Sequence, residues 1–500
     1  MGQKFELSGH NLTLENIPQF SRGSGFQFTI SKDAFQKVEK AHQYVLSIVA
    51  SEQVVYGINT GFGSLSSVHI QKEDVNLLQV NLIRSHCVGV GKPLDRTVVR
   101  AMMLIQAQSL LKGYSGVQPA VVEMLVAFLN NDITPWVPSK GSVGASGDLA
   151  PLSHVAHALM GEGKVYFNHE IQKASDVMDS LGLSPVEFGP KDGLGLINGT
   201  HLMAAQAVLA IDEAQYIMDC ADHVGALSID SLRGSIHAFD KDLHQLKPHI
   251  GQVASAHNIS SLLEGSEILN SHENCDRVQD PYSLRCAAQV HGACRQTLNH
   301  AKEVVMTELQ SVTDNPIIFA QDKKVVSGGH FHGQALAFVM DYLAMGLAEI
   351  CSISERRVAK LLNPVFSQLP AFLTNASGLH SGLMIAQYTA ASLVSENKIL
   401  CHPASVDSVP TSNDKEDHVS MGPNAGRKLF EVIDNAYHCL SIEALCASEA
   451  MELLRPLKSS TLLEKTQKRI RKHCKKSNED RYLESEMSAI YDDLRSHSLI

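Results

Sequence analysis

Five runs, His201 to Asp219, Ala287 to Leu309, Gln334 to Leu362, Ser381 to Leu400 and Arg427 to Leu454, are rich in Ala, Leu, Met, Glu and Gln. These residues lose little side-chain freedom in a helix, and their apolar positions recur at helical spacing. Runs this long, divided by short polar or proline-bearing connections, are read as core helices packed on one another. Strand signals are few and short, as at Lys324-Val325-Val326. Before about residue 195 the texture differs: modest helical segments, such as Val121 to Leu129 stopped by Asn130-Asn131-Asp132, alternate with glycine-bearing loops. The expected fold is mainly α, with an N-terminal mixed helix and loop region over 1–195 and a long helical bundle over 196–500.

A chain of 500 residues with 44% hydrophobic content can bury a large core. Its net charge of −11 argues against a nucleic-acid partner. The one basic run, from Lys468 to Lys476, lies in a helix-prone polar stretch and reads as a solvated helix face. The longest apolar stretch, Ala335 to Ile353, carries Asp341 and Glu349, so it is expected in the core rather than in a membrane. The N-terminal residues show neither the apolar core of a signal peptide nor a myristoylation motif. The ten cysteines (87, 220, 275, 286, 294, 351, 401, 439, 446 and 474) form no C-x-x-C pair and suggest reduced thiols. A cytoplasmic location is the resulting expectation.

The segment Gly141-Ser142-Val143-Gly144-Ala145-Ser146-Gly147-Asp148-Leu149-Ala150-Pro151-Leu152 carries the most chemical information. Gly147 lacks a Cβ, so its nitrogen can approach the Ala145 carbonyl in geometries closed to other residues. Ala145 adds almost no bulk, and Ser146 can lose water to leave an exocyclic methylene. The product is a methylidene-imidazolone, an electrophile that no ordinary side chain offers. A serine-hydrolase elbow is excluded, because Asp148 stands where G-x-S-x-G needs glycine.

The run from Gly141 to His154 resembles the prosthetic-group signature of the aromatic amino acid ammonia-lyase family, and further segments similar to that family follow in order. The resemblance covers residues 50 to 425 densely. It implies a helical-bundle lyase whose electrophile forms from Ala145, Ser146 and Gly147, with no external cofactor and no metal. Tyr56, in a loop with glycines at 57, 61 and 63, resembles the family's mobile base. The segment Gln279-Asp280-Pro281-Tyr282-Ser283-Leu284-Arg285-Cys286 is similar to the family's carboxylate clamp, with Arg285 as the bidentate cation and Gln279 and Tyr282 lining the site. Asn198 matches the asparagine that hydrogen-bonds the imidazolone oxygen, Asn315 lies in a segment similar to SVTDNP, and Phe331 matches a pocket wall.

Two features bear on the substrate. Ser85-His86 resembles the pattern of histidine-using members, and Glu416 looks like the glutamate that separates them from phenylalanine-using ones. A carboxylate can accept a hydrogen bond from an imidazole N–H or assist proton transfer, whereas a phenyl ring offers it nothing. The expected reaction is elimination of ammonia from L-histidine to give trans-urocanate, the first step of histidine degradation. The expected assembly is a homotetramer with active sites shared between subunits. Tyrosine or phenylalanine ammonia-lyase, or a 2,3-aminomutase, is the alternative, since the same catalytic parts serve all of them. A fumarase-like lyase is disfavoured by the missing lysine in Val419-Ser420-Met421-Gly422-Pro423-Asn424. A zinc hydrolase is disfavoured because His330 and His332 have no third partner at metal-ligand spacing. Three positions depart from the family pattern: His330 in place of Asn, Ala288 in place of Pro, and Gln310 in place of Asn. His330, beside Phe331, is the one expected to matter for rate and substrate range.

Overall fold

The computed structural model describes residues 2–23, 25–51, 53–272, 278–376, 378–474 and 479–500. Long helices dominate, and the few strands among the described residues form four small sheets of two or three strands each. Two of the expected runs keep their bounds, Ala287–Leu309 and Gln334–Leu362. The others become His201–Ser231, Met384–Leu400 and Gly422–Leu453, and the expected strand is Lys324–Val326, paired with Ile317–Phe319. The chain packs into two compact units, one of 1–212, 301–341 and 403–427, the other of 213–300, 342–402 and 428–500. The first of the long helices starts at His201, just past the change of texture at 195/196.

The first unit is organised around the helix Arg96–Leu111, buried from Val98 onward. Several of its polar side chains find partners inside that core, as buried polar groups generally do. The Gln108 amide accepts from the Leu12 N–H at 2.7 Å and donates to the Leu309 carbonyl at 3.0 Å. Gln106 donates to the Leu196 carbonyl at 2.5 Å. The helix starts at Asp95, whose carboxylate accepts from the Thr97 N–H at 2.7 Å. Pro119 opens the next helix, Pro119–Asn130, where its missing N–H costs nothing. The parallel strands Gln3–Leu7 and Phe26–Ile30 close one side, with Phe20 against Phe5 and Phe28 at 4.6 and 5.4 Å between ring centroids.

The second unit contains a fully buried ionic chain. Arg357, with no exposed surface, forks onto the Glu443 carboxylate and donates to His291 Nε2 at 3.2 Å. His291 passes its Nδ1–H to Asp222 at 2.8 Å, and Arg295 and Asn258 reach the other Asp222 oxygen at 2.6 and 2.9 Å. An acceptor at Nε2 and a donor at Nδ1 define a neutral imidazole, in agreement with the downward push of burial on its pKa.

The helix Gln334–Leu362 is long and apolar enough to cross a membrane, but 67% of its most apolar window is buried within the protein. Asp341 is buried there and accepts from the Ser405 N–H at 2.8 Å. In the helix Thr461–His473, Leu463, Thr466, Gln467 and Ile470 face inward while Lys468 and Lys472 are exposed, as a solvated basic face requires. Lys475, Lys476 and Cys275 lie outside the described residues. The nine described cysteines form no disulfide with one another.

Candidate active site

The Ala-Ser-Gly segment forms a tight loop just before the helix Leu149–Leu159. Gly147 has φ +78°, and a Cβ there would stand 2.2 Å from the Gly199 carbonyl oxygen. Gly144 has φ +69°, with a Cβ position 2.3 Å from Ser420 Oγ. Both places favour glycine, and the loop is held against the Gly199 backbone on one side and the Ser420 side chain on the other. The Asp148 N–H donates to the Gly199 carbonyl at 2.8 Å, tying the loop to the segment that carries Asn198. The Asp148 carboxylate is buried and accepts from the N–H groups of Leu202 and Met203 at 2.9 and 3.1 Å, capping the helix His201–Ser231. Burial pushes its pKa up to about 7, against the opposing pull of those two hydrogen bonds.

Around Ser146 lies a cavity of about 810 Å³ whose walls include Tyr56, His86, Asn198, Asn315, Phe331 and Glu416. All of these belong to the first unit. Ser146 Oγ donates to Glu416 Oε1 at 3.0 Å, and Thr411 Oγ1 donates to the other carboxylate oxygen at 2.7 Å. Thr411 and Glu416 also bridge through their backbones across a turn with positive φ at Ser412, Asn413 and Asp414, which sets the carboxylate's direction. Asn198 Nδ2 donates to the Asn315 carbonyl at 2.8 Å, while its buried Oδ1 has no partner among the described residues. The Asn315 Oδ1 accepts from Ser327 Oγ and the Gly328 N–H at 3.1 and 2.8 Å.

His86 ends the helix Val75–His86 and is half-buried. Its Nδ1 lies 2.8 Å from the Leu82 carbonyl, which can only accept, so Nδ1 carries the proton and Nε2 is left with a lone pair. Burial lowers its pKa, with Leu82 and Glu416 pulling the other way, which favours this neutral form. Tyr56 is half-buried too, and burial raises its pKa; a hydrogen bond from the Gly63 backbone lowers it, while Glu416 and Asp314 raise it further. Within this chain alone the phenol is therefore held in its protonated form.

Gln279, Tyr282 and Arg285 belong to the second unit and are not among the walls of this cavity. Gln279 and Tyr282 are exposed, Tyr282 to 70%. Arg285 donates to the Asp280 carbonyl at 2.9 Å and stacks its guanidinium over the Tyr282 ring at 4.5 Å. His330 is exposed and outside the cavity walls, and it lies near the half-buried Glu308, whose pKa is raised chiefly by burial. Ala288 is fully buried near the start of its helix, and Gln310 donates to the Leu12 carbonyl at 3.4 Å. Sequence reasoning did not single out Phe62, Leu194, Ser412 or Lys415, which also line the cavity. Lys415 stands next to Glu416; Ser412, Asn413 and Asp414 signal the turn between them and Thr411, but not that the turn faces the cavity.

Residues 12–472 match the family described as aromatic amino acid lyase. The chain belongs to the aromatic amino acid lyase family. Histidine ammonia-lyase of Caldanaerobacter subterraneus subsp. tengcongensis is 44% identical over 494 residues, 99% of this chain and 97% of that protein. Among solved structures, histidine ammonia-lyase from Trypanosoma cruzi superposes with a TM-score of 0.92 at 39% identity, covering 99% of this chain and 94% of that one. Tyrosine aminomutase from Streptomyces globisporus also superposes with a TM-score of 0.92, at 34% identity, covering 99% of this chain and 98% of that one. This aromatic amino acid lyase is thus a carbon–nitrogen lyase of helical fold, and fold alone does not separate a lyase from an aminomutase.

Proposed function

We propose that the protein eliminates ammonia from L-histidine to give trans-urocanate, the first step of histidine degradation, using a methylidene-imidazolone formed from Ala145, Ser146 and Gly147. The residues present suit that group. Gly147 sits in a cradle that a Cβ would fill, and the orphaned buried oxygen of Asn198 lies on the wall of the same cavity. When formed, the group supplies the electrophile that draws electrons from the substrate. The other steps fall to side chains. Tyr56 takes the β-proton, Phe331 walls the ring, and Asn198 and Asn315 order the floor. His86 Nε2 accepts a hydrogen bond from the substrate imidazole N–H. Glu416 touches the Ser146 hydroxyl, so its carboxylate can carry protons where that serine must lose water and where the substrate ring binds.

Burial works against a Tyr56 phenolate, and a substrate carboxylate needs a cation. We assign both needs in part to Arg285, supplied with Gln279 and Tyr282 by another copy of the chain. The exposure of Gln279 and Tyr282, and the absence of all three residues from the walls of this chain's own cavity, support that assignment. The assembly this implies is a cytoplasmic homotetramer with shared sites.

The single observation that carries the histidine reading is the paired placement of His86 and Glu416 on one cavity, in a chain 44% identical to a histidine ammonia-lyase. Purified protein is given L-histidine, L-tyrosine or L-phenylalanine and followed by ultraviolet absorbance. Urocanate from histidine alone supports the proposal. Coumarate or cinnamate, or a β-amino acid detected by chromatography, would move it to the alternative lyases or to an aminomutase.

A further inference from the structure

A buried ion pair adjoins the catalytic cavity without lining it. Lys191 Nζ donates to Asp314 Oδ2 at 2.7 Å, and neither side chain is more than 3% exposed. Both residues lie in the first unit, and neither is a cavity wall, but their neighbours are. Asn315 follows Asp314, while Leu194, Ile197 and Asn198 belong to or follow the short helix Asp192–Ile197 that starts after Lys191. Two costs meet at Lys191. It stands in the left-handed region at φ +76°, where any side chain is strained, and its ammonium is withdrawn from water. Its partner is held from the other side, since Asp314 Oδ1 accepts from the Asn315 N–H at 2.6 Å. Burial raises the Asp314 pKa, and Lys191 pulls against that rise.

The pair joins two segments at one end, and Asn198 Nδ2, donating to the Asn315 carbonyl at 2.8 Å, joins them again at the other. The Tyr56 loop rests on both segments. A Cβ on Gly57, at φ +74°, would stand 2.6 Å from Leu194 Cδ2 and 2.8 Å from Pro316 Cδ. The residue next to Tyr56 is thus seated against one side chain from each segment that the ion pair joins. Charge connects them as well. Burial raises the Tyr56 pKa, the Gly63 backbone opposes this, and Glu416 and then Asp314 add to the rise; His86 and Lys415 share the cavity. An ammonium 2.7 Å from Asp314 counters the last of these contributions.

We propose that Lys191, acting through Asp314, is a positioning residue for Tyr56: the buried ion pair clamps the Leu194 segment to the Asn315-Pro316 segment, and together these form the seat of the tyrosine loop. A buried pair adds little stability, because desolvation offsets the attraction, but it can fix one arrangement of the segments that carry it. Position matters here, since about 1 Å of displacement at a reacting centre can cost on the order of 10²-fold in rate. The proposal rests on Tyr56 being the base, and the test separates the two.

Lys191→Met/Asp314→Asn removes both charges, keeps similar volumes and leaves no buried charge alone. Steady-state kinetics with L-histidine, ordinary or deuterated at the β-carbon, are measured for wild type, this variant, Asp314→Asn and Tyr56→Phe. Thermal melting reports folding, and the mass of the Ala145-Ser146-Gly147 peptide reports the electrophile. In the double variant kcat should fall about tenfold or more while KM stays within about threefold. The isotope effect on kcat should be at least as large as in wild type, because proton removal by an ill-seated base is the slowed step, and the peptide should have lost two waters as in wild type. Asp314→Asn keeps the shape and an acceptor for Lys191, so it should show the same signs at smaller size and covers the case in which the double variant does not fold. A kcat within about twofold of wild type in a folded double variant, or in Asp314→Asn if only that one folds, would overturn the proposal. So would a fall in kcat accompanied by an unmodified peptide, an equal rise in KM or a smaller isotope effect. Turnover retained in Tyr56→Phe would overturn the reading of Tyr56 as the base; turnover lost there beside unimpaired pair variants would overturn the clamp alone.

Discussion

Ser146 and Glu416 are 270 positions apart in sequence, and their side chains meet at 3.0 Å. Glu416→Gln keeps the shape and one acceptor oxygen but removes the charge and the basicity. It should lower kcat for histidine by roughly 10²- to 10⁴-fold, the usual contribution of a positioned acid or base, measured by urocanate absorbance. His86 acts differently. With Nδ1 committed to the Leu82 carbonyl, only Nε2 can meet a substrate ring. His86→Phe should reduce kcat/KM for histidine by about 10- to 100-fold, the weight of one hydrogen bond to a buried polar group, and raise the relative rate with phenylalanine. Steady-state kinetics on both substrates checks this; an unchanged preference would remove His86 from substrate selection.

At the scale of elements, Asp148 joins the prosthetic loop to the long helix His201–Ser231. Its carboxylate accepts from two N–H groups at the start of His201–Ser231, so Asp148→Ala should cost about 1–2 kcal/mol by loss of a cap. Its pKa, raised to about 7 in the fold, lies above the ordinary carboxylate value. The folded state therefore binds this proton more tightly than the unfolded chain, and the residue's contribution to stability falls as pH rises from about 4 to about 7. Asp148→Asn keeps an acceptor for both N–H groups and cannot ionise. Its Tm relative to wild type should rise across that interval, and a difference independent of pH would contradict the buried titration. These details were not legible in the sequence. Composition and periodicity marked the long helices, because such runs have few other stable arrangements, and glycine spacing marked the loop. The partner of Asp148, the ion pair of Lys191 and the approach of Lys415 all depend on contacts between distant segments, for which residue type carries no local signal.

At the scale of the molecule, the sequence offered a complete set of catalytic parts through family resemblance, and the structure gathers only some of them within one chain. Tyr56, His86, Ser146, Asn198, Asn315, Phe331 and Glu416 line one cavity, whereas Gln279, Tyr282 and Arg285 do not. That division is what a shared site predicts. Ser146→Ala and Arg285→Ala proteins, each inactive alone, should regain activity when coexpressed and assembled together, since some sites then draw an intact Ser146 from one subunit and an intact Arg285 from another. Mixed assemblies verified by mass that remain inactive would place all three clamp residues elsewhere. The most direct measurement of the central claim combines peptide mass spectrometry with histidine turnover for wild type and Ser146→Ala. The wild-type peptide containing Ala145-Ser146-Gly147 should be lighter than its sequence by two water molecules and the protein should form urocanate; Ser146→Ala should lack the methylidene group and lose activity by about 10³-fold or more. An unmodified wild-type peptide in a protein that still turns over histidine would contradict the account.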